Sequence, residues 1–195
     1  MELETGMIDT KELIEIRWHG RGGQGAVAAT ELVARAAVSE GKYVSAFPAF
    51  GAERRGAPVV AFLRINSKKP IRVRAEIDEP DVVVVLDPRL LRIVNVTSGL
   101  KGGGRLIINT AKPLHDVESE FGAKWHLAIV DATKIAREVL GVPIVNTAMI
   151  GALLKVTEVV KLESLLEPLQ YHFPRLVERN MEAIKRAYEE TSIKE

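Results

Sequence analysis

The segment Gly20-Arg21-Gly22-Gly23-Gln24-Gly25 is the part of this sequence best suited to chemistry. It satisfies the spacing G-x-G-x-x-G. Glycines so placed permit a tight turn and a close approach of backbone to ligand. A helix that follows offers unpaired N–H groups to an anion. A phosphate, a pyrophosphate or the phosphates of coenzyme A would suit such a cradle. Gly20, Gly22, Gly23, Gln24 and Gly25 are therefore candidate cofactor-binding residues. A bare strand-to-helix turn would use the same glycines, and they alone do not decide between the two. Binding of a nicotinamide dinucleotide would also require a ribose-binding acid roughly 20 residues past the loop. That region reads Tyr43-Val44-Ser45-Ala46-Phe47-Pro48, without a carboxylate; Glu40 comes too early and Glu53 falls in the following loop.

A second unusual segment is Ala49-Phe50-Gly51-Ala52-Glu53-Arg54-Arg55-Gly56-Ala57-Pro58. The guanidinium forks of Arg54 and Arg55 could hold phosphate or carboxylate. A solvated loop with a surface pair to Glu53 is the ordinary alternative. Asn146 and Thr147 stand at an expected junction into a helix, where they would either line the same crevice or cap the helix. His19 adjoins the glycine loop, and a structural hydrogen bond to the loop backbone is favoured over proton transfer. His115, His126 and His172 are scattered without metal-ligand spacing, so neither a metal site nor a catalytic residue is assigned. Asp87 would face a ligand crevice or start a turn with Pro88. Trp18 and Trp125 suit packing or an interface. Lys68-Lys69 suits a solvated turn.

The elements that must position these residues follow from periodicity. Ile14-Glu15-Ile16-Arg17-Trp18 alternates as a strand, and Ala26 to Ser39 has helical spacing with Gly41 as a stop. Together they form the first half of a βαβ unit. Lys42 to Ala46 is expected as the second strand. Pro58 to Ile65 and Ile71 to Arg74 read as an antiparallel excursion around 58–74. The run Val82 to Leu86 reads as a strand buried on both faces. A short helix is expected over Leu90 to Thr97, then strands at Arg105 to Asn109 and Leu127 to Val130. Helices are expected at Ala132 to Leu140 and from about Ala148 to Val160. The stretch Leu162 to Tyr188 is helical in pattern, interrupted at Pro168 and Pro174. The fold class is α/β, a Rossmann-like, mostly parallel sheet with helices on both faces and a helical C-terminal segment. Residues 1–12 read as a flexible lead-in and 13–195 as a single domain.

Composition narrows the function further. The formal net charge is +1 and no aromatic–basic stripe occurs, which argues against nucleic acid as a partner. There is no cysteine, so thiolate ligation of zinc or of an iron–sulfur cluster is excluded for this chain. The longest apolar runs are too short to span a membrane, and the N-terminal stretch lacks the pattern of a signal peptide, so a cytoplasmic location is expected.

The glycine loop, followed by Phe50-Gly51-Ala52-Glu53-Arg54-Arg55-Gly56-Ala57-Pro58 and later by Pro143-Ile144-Val145-Asn146-Thr147-Ala148-Met149-Ile150-Gly151-Ala152, strongly resembles the gamma subunits of pyruvate and 2-ketoisovalerate:ferredoxin oxidoreductases. The resemblance runs from about Ile14 to Tyr188. The first loop is common to all gamma domains of 2-oxoacid oxidoreductases, while the Glu-Arg-Arg-Gly-Ala-Pro segment points to the pyruvate or branched-chain branch. The resemblance implies a subunit that works with alpha, beta and delta subunits. Such an assembly oxidatively decarboxylates a 2-oxoacid, forms the acyl-coenzyme A and passes electrons to ferredoxin. It also implies that thiamine diphosphate, magnesium and the iron–sulfur clusters sit on the partner subunits, and that this domain helps handle coenzyme A. The indolepyruvate or 2-oxoglutarate branch, a purely architectural subunit and a free-standing nucleotide-binding oxidoreductase are the alternatives.

Overall fold

The computed structural model describes residues 12–49, 56–121 and 124–194. The lead-in expected over 1–12 lies, apart from Glu12, outside the described residues. Seven strands form one sheet: β1 (Leu13–Arg21), β2 (Tyr43–Pro48), β3 (Pro58–Asn66), β4 (Val82–Val85), β5 (Arg105–Asn109), β6 (His126–Val130) and β7 (Ser192–Lys194). Their spatial order is β2-β3-β1-β4-β5-β6-β7. The strands β1, β2, β4, β5 and β6 run one way, and β3 and β7 run against them. The helices are α1 (Ala26–Ser39), α2 (Leu114–Phe121), α3 (Ala132–Leu140), α4 (Asn146–Thr157), α5 (Leu166–His172) and α6 (Val177–Glu190). The expected α/β architecture, mostly parallel with helices on both faces, is the one found.

Two expected elements are corrected. Only Pro58–Asn66 of the excursion is a strand, and Ile71 to Arg74 is not. Both edges of β3 are already taken, by β1 on one side and β2 on the other, so no hydrogen-bonding edge remains for a hairpin partner. The segment expected as a helix over Leu90 to Thr97 is instead a 3-10 turn at Pro88–Arg92 followed by irregular chain.

The sheet alternation sorts side chains into two cores. Ile16, Trp18, Leu63, Val82, Val84, Ile107 and Val130 face α1, α3, α4 and α6. Val83, Val85, Leu106, Ile108 and Leu127 face α2 and the 3-10 turn. The valine run of β4 is thus buried on both faces, as its unbroken apolar pattern requires. On β1 the second face is polar yet enclosed, and on β3 Arg64 lies on that face beside the buried Phe62. Arg17 donates to the carbonyls of Ile77, Val96 and Ser98, and Arg64 to those of Ala75 and Glu76. These two guanidiniums bind irregular chain onto the sheet, which explains the apolar–polar alternation of Ile14 to Trp18.

Helix α1 buries Ala29, Leu32, Val33, Ala36 and Ala37, a stripe at helical spacing. It ends where expected: Gly41 is left-handed, its N–H donates to Val38 O and that of Lys42 to Ala37 O. Helices α4 and α6 pack in constant register. Thr147 meets Asn180, Gly151 meets Ile184 and Lys155 covers the Tyr188 ring. Gly151 lets the backbones touch, because a Cβ there would lie 2.1 Å from Ile184 O.

Candidate functional site

The strand order reverses at β1. From there the chain passes through α1 to the β2–β3 side, while β4 lies on the other flank. Such a reversal opens a crevice at the carboxyl ends of the strands, the usual ligand position in open α/β sheets. The glycine loop sits there. Gly22 N donates to Ala57 O at 2.9 Å and Gly56 N to Gly22 O at 3.2 Å, tying the loop to the start of β3. Gln24 N donates to Arg21 O at 2.9 Å, and Gln24 Oε1 accepts from Arg21 N at 2.8 Å. Gly23 has φ 93° and Gly25 φ 79°, conformations that L side chains rarely adopt.

Gly25 is also the N-cap of α1. No side chain caps this helix, and its first turn carries no acid. The N-terminus of α4 abuts it: a Cβ on Gly25 would lie 2.7 Å from Asn146 Nδ2. The N-cap of α4 is Val145, again without a side-chain cap, so neither Asn146 nor Thr147 caps the helix. Asn146 Oδ1 accepts from Thr147 N instead. Two helix N-termini, each the positive end of its dipole, therefore meet behind the loop.

Asp87, just past the end of β4, completes the crevice. It is 2% exposed and accepts five hydrogen bonds. Its Oδ1 receives Arg89 N and Arg89 Nε, both at 3.0 Å. Its Oδ2 receives Arg89 Nη2 at 2.7 Å, Arg21 Nε at 2.9 Å and Gln24 Nε2 at 3.3 Å. The bonds from Arg89 do most to hold its pKa down, at about 2, against the opposing effect of burial. Asp87 thus starts the 3-10 turn and also faces the loop, combining both readings of its position. Arg21 Nη1 donates to Gly56 O at 2.9 Å, so one guanidinium joins the first loop, the end of β4 and the return of the second loop. Beyond Arg89 lies a hollow of about 280 Å³ floored by Leu91, Ile108, Val117 and Phe121.

The structure gathers Gly20, Gly22, Gly23, Gln24, Gly25 and Asn146 at this crevice. It does not bring Thr147 there. That residue is fully buried, and its hydroxyl donates to Asn180 Oδ1 at 2.9 Å. Arg54 and Arg55 lie outside the described residues. His19 differs from expectation in its partner: Nε2 accepts from Arg17 Nε at 3.1 Å rather than serving the loop backbone. Burial, and then the charge of Arg17, push its pKa down to about 3, so it is neutral at physiological pH. Arg21 and Arg89 are the residues that sequence reasoning missed. Arg21 occupied a variable position of the motif, and nothing local links it to an acid 66 residues away.

The geometry also bears on a dinucleotide. A ribose-binding acid acts from the strand beside β1 that follows the first helix. Here that neighbour is antiparallel β3, whose Pro58 lies opposite Arg21, and β2 is displaced to the sheet edge. Among the described residues no group of three or more histidines, acids or cysteines is placed to hold a metal ion. None of the described helices is long and apolar enough to cross a membrane.

The family model for pyruvate ferredoxin/flavodoxin oxidoreductase matches residues 15–190. The chain is 56% identical over 183 residues to the "Pyruvate/ketoisovalerate oxidoreductases common subunit gamma" of Pyrococcus furiosus, covering 93% of this chain and 98% of the relative. It is 51% identical over 179 residues to the "Pyruvate synthase subunit PorC" of Methanocaldococcus jannaschii, covering 91% and 97%. Among solved structures, the pyruvate oxidoreductase subunit PORC of Thermotoga maritima superposes with a TM-score of 0.84 at 41% identity, covering 95% of this chain and all of that one.

Proposed function

The chain belongs to the pyruvate ferredoxin/flavodoxin oxidoreductase family, and from that premise we propose that it is the gamma subunit of a multi-subunit 2-oxoacid:ferredoxin oxidoreductase whose crevice receives the phosphate end of coenzyme A. The assembled enzyme would decarboxylate pyruvate or 2-ketoisovalerate, transfer the acyl group to coenzyme A and pass two electrons to ferredoxin. The isolated chain would not turn over.

The division of labour follows from the residues. Without cysteine this chain has no thiolate for an iron–sulfur cluster. The clusters, and with them thiamine diphosphate and its magnesium, are assigned to the alpha, beta and delta partners. Thiamine diphosphate supplies the carbanion chemistry of decarboxylation when bound there. What this chain contributes is a fixed anion receptor: glycine backbone, the uncapped N-terminus of α1 and the Arg21–Asp87–Arg89 cluster. Holding the phosphates would place the reactive thiol for attack without itself doing chemistry.

The single observation that carries this reading is the convergence of these donors at the strand-order reversal. Hydrogen exchange of the assembled enzyme tests it. Coenzyme A should slow exchange in the peptide spanning Gly20 to Gly25, and NADH should not. If partner subunits protect the loop while coenzyme A adds nothing, the loop serves assembly alone. Replacing Arg54 and Arg55 with alanine should raise KM for coenzyme A while the complex survives; an unchanged KM removes them from that role.

A further inference from the structure

We propose that Asp87 is a positioning residue that turns Arg21 and Arg89 into a two-pronged phosphate clamp for coenzyme A. The inference deepens the reading above and rests on it, because the ligand is taken from that reading.

A guanidinium has five N–H donors in a rigid fork. Arg89 spends Nε and Nη2 on the two oxygens of Asp87, and Arg21 spends Nε on Asp87 and Nη1 on Gly56 O. Among the described residues each fork therefore keeps donors unspent on the side turned from Asp87. A free arginine must give up side-chain entropy to hold a ligand. These two are already held by a carboxylate that is itself enclosed. Charge favours the same conclusion. Two guanidiniums and one carboxylate leave one net positive charge, and Asp87 stays ionised down to about pH 2.

Position supplies the second, independent support. Arg89 is 74% exposed at its side chain, so the donors it has not used are open to a ligand. It also lines the hollow of about 280 Å³ beyond the crevice, whose apolar floor would accept an uncharged part of a long phosphorylated molecule. Arg21 shares Oδ2 of Asp87 with Arg89 and with Gln24 of the glycine loop. Arg89 is thus joined to the glycine loop, which contributes Arg21 and Gln24, through a single carboxylate. A phosphate between them would receive charge-assisted bonds from arginine and neutral ones from backbone.

The test uses the assembled enzyme with Asp87→Asn, Arg89→Ala and the double variant. Each single change should raise KM for coenzyme A by about tenfold, leaving KM for the 2-oxoacid in place and lowering kcat at saturating coenzyme A much less. Because Asp87 acts through Arg89, the two effects should be less than additive. Substituting 3′-dephospho-coenzyme A identifies the phosphate: an Arg89→Ala penalty that vanishes marks the 3′-phosphate, and one that persists marks the pyrophosphate. Either supports a clamp. An unchanged KM in Arg89→Ala overturns the proposal, because a KM can be read only from enzyme that has folded and assembled. If coenzyme A still protects the glycine loop in that variant, only the clamp falls. If the loop is unprotected in the wild-type enzyme as well, the coenzyme A reading itself falls. Loss of subunit association in Asp87→Asn with equal rises in both KM values would make Asp87 an assembly residue and sink the positioning role.

Discussion

Asn146 Nδ2 occupies the space in which a side chain at Gly25 would begin, 2.7 Å from the position of its Cβ. The two helix N-termini approach this closely only because one of them opens on a left-handed glycine. Gly25→Ala should cost about 1 to 2 kcal/mol from the backbone conformation alone, with the collision added to it. Asn146→Ala in the same chain should recover part of the loss. Urea unfolding of the four members of the cycle measures this; purely additive effects would show that the contact is absent.

Gly151 marks a second close approach, between parallel α4 and α6. A Cβ there would meet Ile184 O, and both are backbone-fixed, so the helices must separate. Gly151→Ala should destabilise the chain by about 3 kcal/mol, at the upper end of overpacking effects. The thermal midpoint and the yield of folded protein report it. A variant as stable as the parent would refute the helix register described above.

Arg17 is the strap over the polar face of β1. It is 8% exposed, with burial pushing its pKa down and Asp78 opposing that. Replacement by methionine keeps the bulk but strands the carbonyls of Ile77, Val96 and Ser98. The expected cost is about 3 kcal/mol. Faster amide exchange should appear first in residues 75–81 and 96–101, ahead of the core strands. Uniform loosening of the whole sheet would contradict a strapping role.

His19 predicts a pH dependence. Its pKa lies near 3 when folded and near 6.5 when unfolded, so between these values the unfolded chain binds the extra proton. The stability tied to neutral His19 is complete above about pH 6.5 and is lost as the pH falls toward 3. His19→Gln should flatten the stability profile across that interval. An unchanged slope would mean that the imidazole is accessible to protons in the native state.

The sequence made the strand, glycine loop and first helix legible because each depends on neighbours along the chain: alternation, φ freedom and a helical stripe. Gly41 as a helix stop is the same kind of local fact. The insertion of β3 between β1 and β2 was not legible, since an antiparallel and a parallel strand share the same two-residue period. Ile71 to Arg74 misled for a related reason. Its β-branched residues meet the local requirement, but no sheet edge was free to accept them. The arginine clamp was half visible. Asp87 stood out at a strand end, whereas its partner Arg21 became identifiable only once folding set β1 beside β4. Thr147 shows the converse. A polar residue at a helix start has no mark in the sequence that says whether it turns outward or, as here, toward another helix.

Trp18 lies fully enclosed in β1, while Trp125, the only other tryptophan, is partly solvent-accessible with its indole N–H directed to Leu100 O. The protein therefore carries its own optical reporter. With Trp125 changed to phenylalanine, the remaining emitter sits in an apolar setting and should fluoresce at short wavelength. That colour would persist through association with other polypeptides and shift to the red only when the sheet itself opens.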